Sequence, residues 1–220
     1  MGVHIRAESN QRMPWANTVA YYPLSTDFTD QSWNGYDLTN NWGSITTQWT
    51  VSCAYYSGST SVNSINTSAP VWSTRTIVCW IYLTWPTSWS AAAVWTGTYN
   101  ASTGKYNAEV LGAYNGKTSL SDYHTYGVSG NTSILNQRAL LVWVVTGNDV
   151  ICYLNWAVDA SWTRWYESTA STGIKLAWRN WGSGSEYFKG YLSEVIVESA
   201  AWSAAEVLEY YNKTKANYWL

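Results

Sequence analysis

Two apolar runs, "ALLVWVVT" from Ala139 to Thr146 and "VICYL" from Val150 to Leu154, are separated only by the residues of "GND", Gly147 to Asp149. Both runs have strand length and are rich in β-branched residues, and the interval is that of a tight hairpin. A hairpin of this kind commits the chain to antiparallel sheet. "TIVCWIYL", Thr76 to Leu83, reads as a strand buried on both faces. Thr18–Leu24, Val51–Ser59, Ala91–Tyr99, Ala108–Tyr114 and Ile174–Ala177 supply further strand candidates. In "YLSEVIVE", strict alternation places Tyr191, Ser193, Val195 and Val197 on one face, with Leu192, Glu194, Ile196 and Glu198 on the other. Residues 115–136 read as a Gly/Ser/Thr/Tyr loop region with room for one short strand.

The only strong helix signal is "SAAEVLEYYNK". Ser203 and Glu206 have the spacing of a capping box, and Val207, Leu208 and Tyr211 form its apolar face. Many short strands and one helix predict an all-β fold, a two-sheet antiparallel sandwich with a short C-terminal helix. A barrel is the alternative closure. Residues 1–14 are polar and unpatterned, an arm or linker. Residues 15–220 show no repeat or internal linker and read as one domain.

Charged residues are 12% of the chain, about half the ~25% usual for a soluble domain. Net charge is −2 with no basic stripe, which argues against phosphate-tracking nucleic-acid binding. The N-terminus lacks the apolar core of a secretory signal, and Ala139–Val145 is far too short to span a bilayer. No membrane insertion is expected. Cys53, Cys79 and Cys152 show no metal-ligand spacing and read as buried free thiols, with a disulfide between two of them as the alternative.

Several segments, in order, resemble the laminin-G-like and concanavalin A-like lectin/glucanase superfamily. "VAYYPLSTDFTDQSWNGYDLT" is similar to its opening strand and Asp-x-Ser-Gly-Asn-Gly loop. "TIVCWIYL" resembles the central strand with its Trp, here Trp80, and "LLVWVVTGNDVICYLNWAVD" the hairpin ending in Tyr-x-Asn-Gly. "KGYLSEVIVESAAWSAAEVLEYYN" is similar to the closing strand and the helix after it. The resemblance spans roughly residues 18–213. It implies a jelly-roll sandwich whose first and last strands are neighbours.

Against that pattern some tryptophans are misplaced. Trp33 and Trp156 stand where the family has glycine, and Trp178 where a strand ends in glycine. Trp42 and Trp181 precede glycines in loops. Trp80 and Trp202 fit the pattern. Three explanations are open: loop tryptophans that serve a binding surface, turns rebuilt around bulky residues, or glycine codons (UGA) read as tryptophan. The third best accounts for misfits that coincide with turns, and UGG codons at Trp33 and Trp156 would exclude it.

Glycan stacking needs an aromatic face and planar hydrogen-bonding groups. "SDYHTYG" and "SWTRWYES" supply these in expected loops. Tyr123, Tyr126, Trp162 and Trp165 are the stacking candidates, and Asp122 and Arg164 the polar ones. The alternative is that these aromatics close the sandwich edge. The resemblance also implies a structural calcium ion, with Asp27 and Asp30 of the first loop and Glu194 of the closing strand as ligands. The alternative for the aspartates is Asx turns.

No Glu-x-Asp-x-x-Glu run is present. Glu194 and Glu198 sit roughly 13 Å apart along a strand, too far for a retaining dyad, and read as solvent-side charges. His4 and His124 have no nucleophile partner. The chain is expected to be no enzyme but a recognition module for a glycan or surface protein, outside a cell or on a virion. A structural or decoration protein, with oligomer or assembly contacts through the N-terminal arm, is the second reading. A glycoside hydrolase is the third.

Overall fold

A computed structural model describes residues 17–41, 43–58, 64–85, 91–100, 105–122, 128–163, 171–181 and 184–218. In chain order the first strands are β1 (Thr18–Tyr22), β2 (Thr39–Asn40), β3 (Ser44–Gln48), β4 (Val51–Ser57), β5 (Ser64–Val71) and β6 (Arg75–Leu83). There follow β7 (Ala91–Asn100), β8 (Lys105–Tyr114), β9 (Lys117–Asp122), β10 (Val128–Ser133), β11 (Arg138–Thr146) and β12 (Asp149–Leu154). The last are β13 (Ala157–Thr163), β14 (Ser171–Leu176), β15 (Trp178–Trp181), β16 (Gly184–Tyr187) and β17 (Lys189–Glu198). The helix α1 (Ala204–Thr214) runs into a 3-10 helix over Lys215–Tyr218.

The fold is a sandwich of two antiparallel sheets. One sheet has the order β13-β12-β11-β6-β17-β4-β3, and the other β10-β9-β8-β7-β14-β5-β2. The outer edge of β17 is shared: β4 pairs with its first half and β1 with its second. First and last strands are thus neighbours, as the resemblance implies. Tyr22, Tyr56, Ile77, Leu111, Trp143 and Val195 meet in the dry layer between the sheets. Cys53, Cys79 and Cys152 are buried and free. Desolvation raises all three thiols, Cys152 to about 12.

Helix α1 covers one end of the outer face of the first sheet. The Ser203 hydroxyl accepts from the Glu206 N–H and the Glu206 carboxylate accepts from the Ser203 N–H, completing the predicted capping box. The buried face is Val207 and Tyr210 rather than Val207, Leu208 and Tyr211. Leu208 is exposed and Tyr211 half-buried. The helix settles on Trp80, Val142 and Ile196, so β6 is covered on both faces at Trp80 as expected. Among the described residues no helix is long and apolar enough to cross a membrane.

Two strand expectations need correction. Residues 115–136 hold two strands, β9 and β10. The alternation of β17 breaks at Ser193, where the register shifts between Leu192 and Glu194 against β6. Leu192, Val195 and Val197 all face the core, and Tyr191 therefore faces out, opposite to Val195. An extra residue in one strand re-aims the side chains before it.

At the Asn155-Trp156 turn Trp156 is 54% accessible, while Asn155 is half-buried. Asn155 takes the left-handed conformation at φ +60°, and Trp156 does not. An Asn in that position relieves the steric conflict. Trp33 is 86% exposed, whereas Trp80 and Trp202 are buried. A further misfit is at Trp49, in the two-residue turn between β3 and β4, with φ +57° and 65% exposure. A tryptophan there occupies a backbone conformation that favours glycine. The side chains of Trp42, Trp178 and Trp181 lie outside the described residues.

Candidate functional site

The bulge at Ser193 has a consequence at the surface. Sheet register places Arg138 opposite Tyr82, Tyr82 opposite Tyr191, Tyr191 opposite Tyr55, and Tyr55 opposite Ser44. These five residues form one transverse row across β11, β6, β17, β4 and β3. With strands about 4.8 Å apart, the three tyrosines cover about 10 Å. Their rings touch: Tyr55 and Tyr191 have centroids 5.0 Å apart, and Tyr82 and Tyr191 6.1 Å. All three are half-buried, and α1 packs further along the same face, so the row stays open to solvent. Without the bulge, Tyr191 would point into the core and the row would have a gap.

Arg138 ends the row and is 6% exposed. Its guanidinium donates to Ser193 Oγ at 3.1 Å, to Gln48 Oε1 at 2.7 Å and to the Gln48 carbonyl at 3.3 Å. These acceptors are neutral, the Cys53 thiol lies beside them, and among the described residues Nε finds no acceptor. Desolvation pulls the Arg138 pKa below its usual value. The Trp49 ring lies over the guanidinium at 5.6 Å and meets Tyr82 edge-on at 5.4 Å. The row thus combines apolar ring surface, phenol hydroxyls and one buried cation.

Of the loop residues predicted to bind a glycan, Tyr123, Tyr126, Arg164 and Trp165 lie outside the described residues, as does the Asp122 side chain. The strand ends that bound both segments, Asp122 and Val128 on one side and Thr163 and Ser171 on the other, lie at the same end of the sandwich by their register. Trp162 is half-buried against the inter-sheet core, the edge-closing role. His4 and His124 also lie outside the described residues.

The predicted calcium ligands are not brought together. Asp30 is buried, and both its oxygens are taken by donors. Oδ1 accepts from Tyr21 N–H at 2.9 Å and Ser32 N–H at 2.8 Å, and Oδ2 from the Ser32 hydroxyl at 2.7 Å and Tyr36 N–H at 2.8 Å. Asp27 accepts from the backbone and hydroxyl of Thr29, bonds that hold its carboxyl below its usual pKa. Donors aimed at both Asp30 oxygens take the lone pairs a cation would need, so Asp30 as placed does not fit a calcium ligand. Among the described residues no group of three or more His, Cys, Asp or Glu could hold a metal.

Glu194 and Glu198 are buried rather than solvent-side, because α1 and the segment leading into it cover them. The Tyr218 hydroxyl donates to Glu194 at 3.1 Å, and Tyr21 and Tyr210 face the same carboxylate. Burial raises the Glu194 pKa against those hydroxyls. Glu198 accepts from Thr18 at 3.2 Å and from the Trp202 indole N–H. Both carboxylates anchor the C-terminal segment.

No protein-family model matches the chain, and no curated protein matches it in sequence. Solved structures do. Domain 4 of AbnA, a GH43 extracellular arabinanase from Geobacillus stearothermophilus solved with arabinotriose, superposes with a TM-score of 0.69 at 17% identity, covering 88% of this chain and 97% of that one. The binding domain of Paraclostridial Mosquitocidal Protein 1 gives 0.70 at 12% identity, over 89% of this chain and 52% of that one. Trypanosoma rangeli sialidase with sialic acid gives 0.71 at 8% identity, over 93% of this chain and 34% of that one. The chain therefore spans nearly all of the arabinanase domain, about half of the mosquitocidal domain and a third of the sialidase. At these identities the likeness establishes the β-sandwich fold.

Proposed function

We propose that this chain is a non-enzymatic recognition module that binds a glycan on the tyrosine row of its outer sheet face. The observation that carries the reading is the register of Tyr55, Tyr191 and Tyr82 on three adjacent strands, with ring surface and hydroxyls open side by side. Sugar rings present C–H faces and equatorial hydroxyls, and amphipathic tyrosines match both at low entropy cost. The fold neighbours favour the same class of ligand. Domain 4 of AbnA was solved with arabinotriose and the sialidase with sialic acid. A place outside the cell or on a particle surface follows from that role. The closing-strand carboxylates are buried under the C-terminal segment, which supports binding without hydrolysis.

A glycan array probed with the wild-type chain and with Tyr191→Ala tests the reading. Saturable binding that the variant loses is expected. An empty array, with the chain co-purifying in a particle, would replace this reading with the structural one. Turnover of an arrayed glycan would make the chain an enzyme.

A further inference from the structure

We infer that the tyrosine row selects acidic sugars, with the sugar carboxylate held by Arg138 beneath the Trp49 ring. This rests on the glycan-binding reading above and specifies its ligand. A guanidinium taken out of water needs a counter-charge, and an unpaired buried ion is costly. Arg138 is 6% exposed, yet among the described residues it meets hydroxyl, amide and carbonyl oxygens and the Cys53 thiol but no carboxylate, and its Nε has no acceptor. The other groups around it are the Cys53 thiol and the Tyr82 and Tyr218 phenols, and no carboxylate is among them; burial raises the Cys53 and Tyr218 pKa values, so neither supplies an anion. The site is a cation waiting at the end of an aromatic row.

The geometry suits a sugar acid better than a free anion. The planar fork of an arginine matches a carboxylate in two parallel hydrogen bonds. Tyr82, directly opposite Arg138 on the next strand, is placed to carry the ring bearing that carboxylate, and Tyr191 and Tyr55 to carry the residues that follow. One exposed side chain lies over the guanidinium. Trp49 covers the guanidinium, is 65% exposed, and sits on a hairpin turn with a left-handed backbone. Rotation of its ring into solvent would take that cover off Arg138. A glycine at position 49, the residue its backbone favours, removes that ring from over the guanidinium.

The test is an array of uronate- and sialate-terminated oligosaccharides beside the same oligosaccharides with the carboxyl group reduced. The wild-type chain is expected to bind the acid forms about 10- to 100-fold more tightly, the range of a hydrogen bond to a charged group. Arg138→Gln should remove that preference, and Trp49→Gly should keep or raise it. Arg138 also braces the turn between β3 and β4, so a second measurement leaves it intact. Wild-type affinity for the acid form should fall as salt rises from about 0.05 to 0.5 M, while affinity for the reduced form holds steady. Equal binding of acid and reduced forms, or the same salt response for both, overturns the inference while the glycan reading stands. Binding of neither form, and of no other glycan, overturns both.

Discussion

Substituting Asp30 by Asn swaps one carboxylate oxygen for an amide nitrogen in a site built wholly of donors. The best orientation keeps the amide oxygen toward Tyr21 N–H and Ser32 N–H, and turns the new NH2 toward the Ser32 hydroxyl and Tyr36 N–H. The hydroxyl rotates to accept, but the Tyr36 N–H cannot, and a buried donor left unpaired costs about 1–3 kcal/mol. The remaining bonds lose the charge that made them roughly twice as strong as neutral ones. Together these predict a loss of about 3 kcal/mol, or a fall in Tm of about 6–12 °C for a chain of this size. Differential scanning calorimetry of wild type and Asp30→Asn, each with millimolar calcium and with EDTA, measures it. The fall should be the same in both buffers, and calcium should not move the wild-type Tm. A variant that melts within about 2 °C of wild type would refute the donor-hub account of Asp30. A wild-type Tm that calcium raises by several degrees, with the gain lost in the variant, would restore the metal reading of this loop.

Other predictions follow from the same packing. The folded-state pKa of Glu194 is raised above its usual 4.5, so between 4.5 and that raised value the folded chain holds a proton that the unfolded chain has released. Stability should therefore fall as pH climbs from about 4.5 through that window, and Glu194→Gln should flatten the fall. Urea titrations at several pH values measure this, and an identical slope in both proteins would contradict it. At Trp49, glycine relieves about 1–2 kcal/mol of left-handed strain. It forfeits about 0.5–1.5 kcal/mol of edge contact with Tyr82 and about 0.5–1 kcal/mol of interaction with Arg138. Trp49→Gly should thus change stability by no more than about 1.5 kcal/mol, where Trp143→Ala in the core should cost about 3–5 kcal/mol. A loss above 3 kcal/mol for Trp49→Gly would show that this tryptophan is native to its turn.

What the sequence made legible was whatever carried its own hydrophobic signal. Thr76–Leu83 and Ala139–Thr146 stand out as apolar runs and are observed as β6 and β11 almost to the residue. Ser203 and Glu206 announce α1 because a capping box is local chemistry. The strands β3 "SITTQ", β5 "SINTSAPV" and β9 "KTSLSD" give little or no such signal, because Ser, Thr and Asn dominate and the pairing partner supplies the stability. Glu194 and Glu198 looked solvent-facing because nothing local shows that the C-terminal segment folds back over them. The tyrosine row was hidden for two reasons. Its members are separated by tens of residues and meet only through sheet register. The bulge that turns Tyr191 outward leaves no mark in an otherwise regular alternation. The one available signal was Tyr82 and Tyr55, each following a core residue in a strand and so set on the opposite face.

The outer-face row and the loop segments around Tyr123 and Tyr126 are two places where a glycan could bind, and one titration separates them. With the strongest array ligand, isothermal titration calorimetry compares wild type, Tyr191→Ala and Tyr126→Ala, each checked for an unchanged melting transition. Binding weakened at least ~10-fold by Tyr191→Ala, about 1.4 kcal/mol or more, and unaffected by Tyr126→Ala is the predicted result. Binding that survives Tyr191→Ala and is lost in Tyr126→Ala would contradict the tyrosine row as the recognition surface.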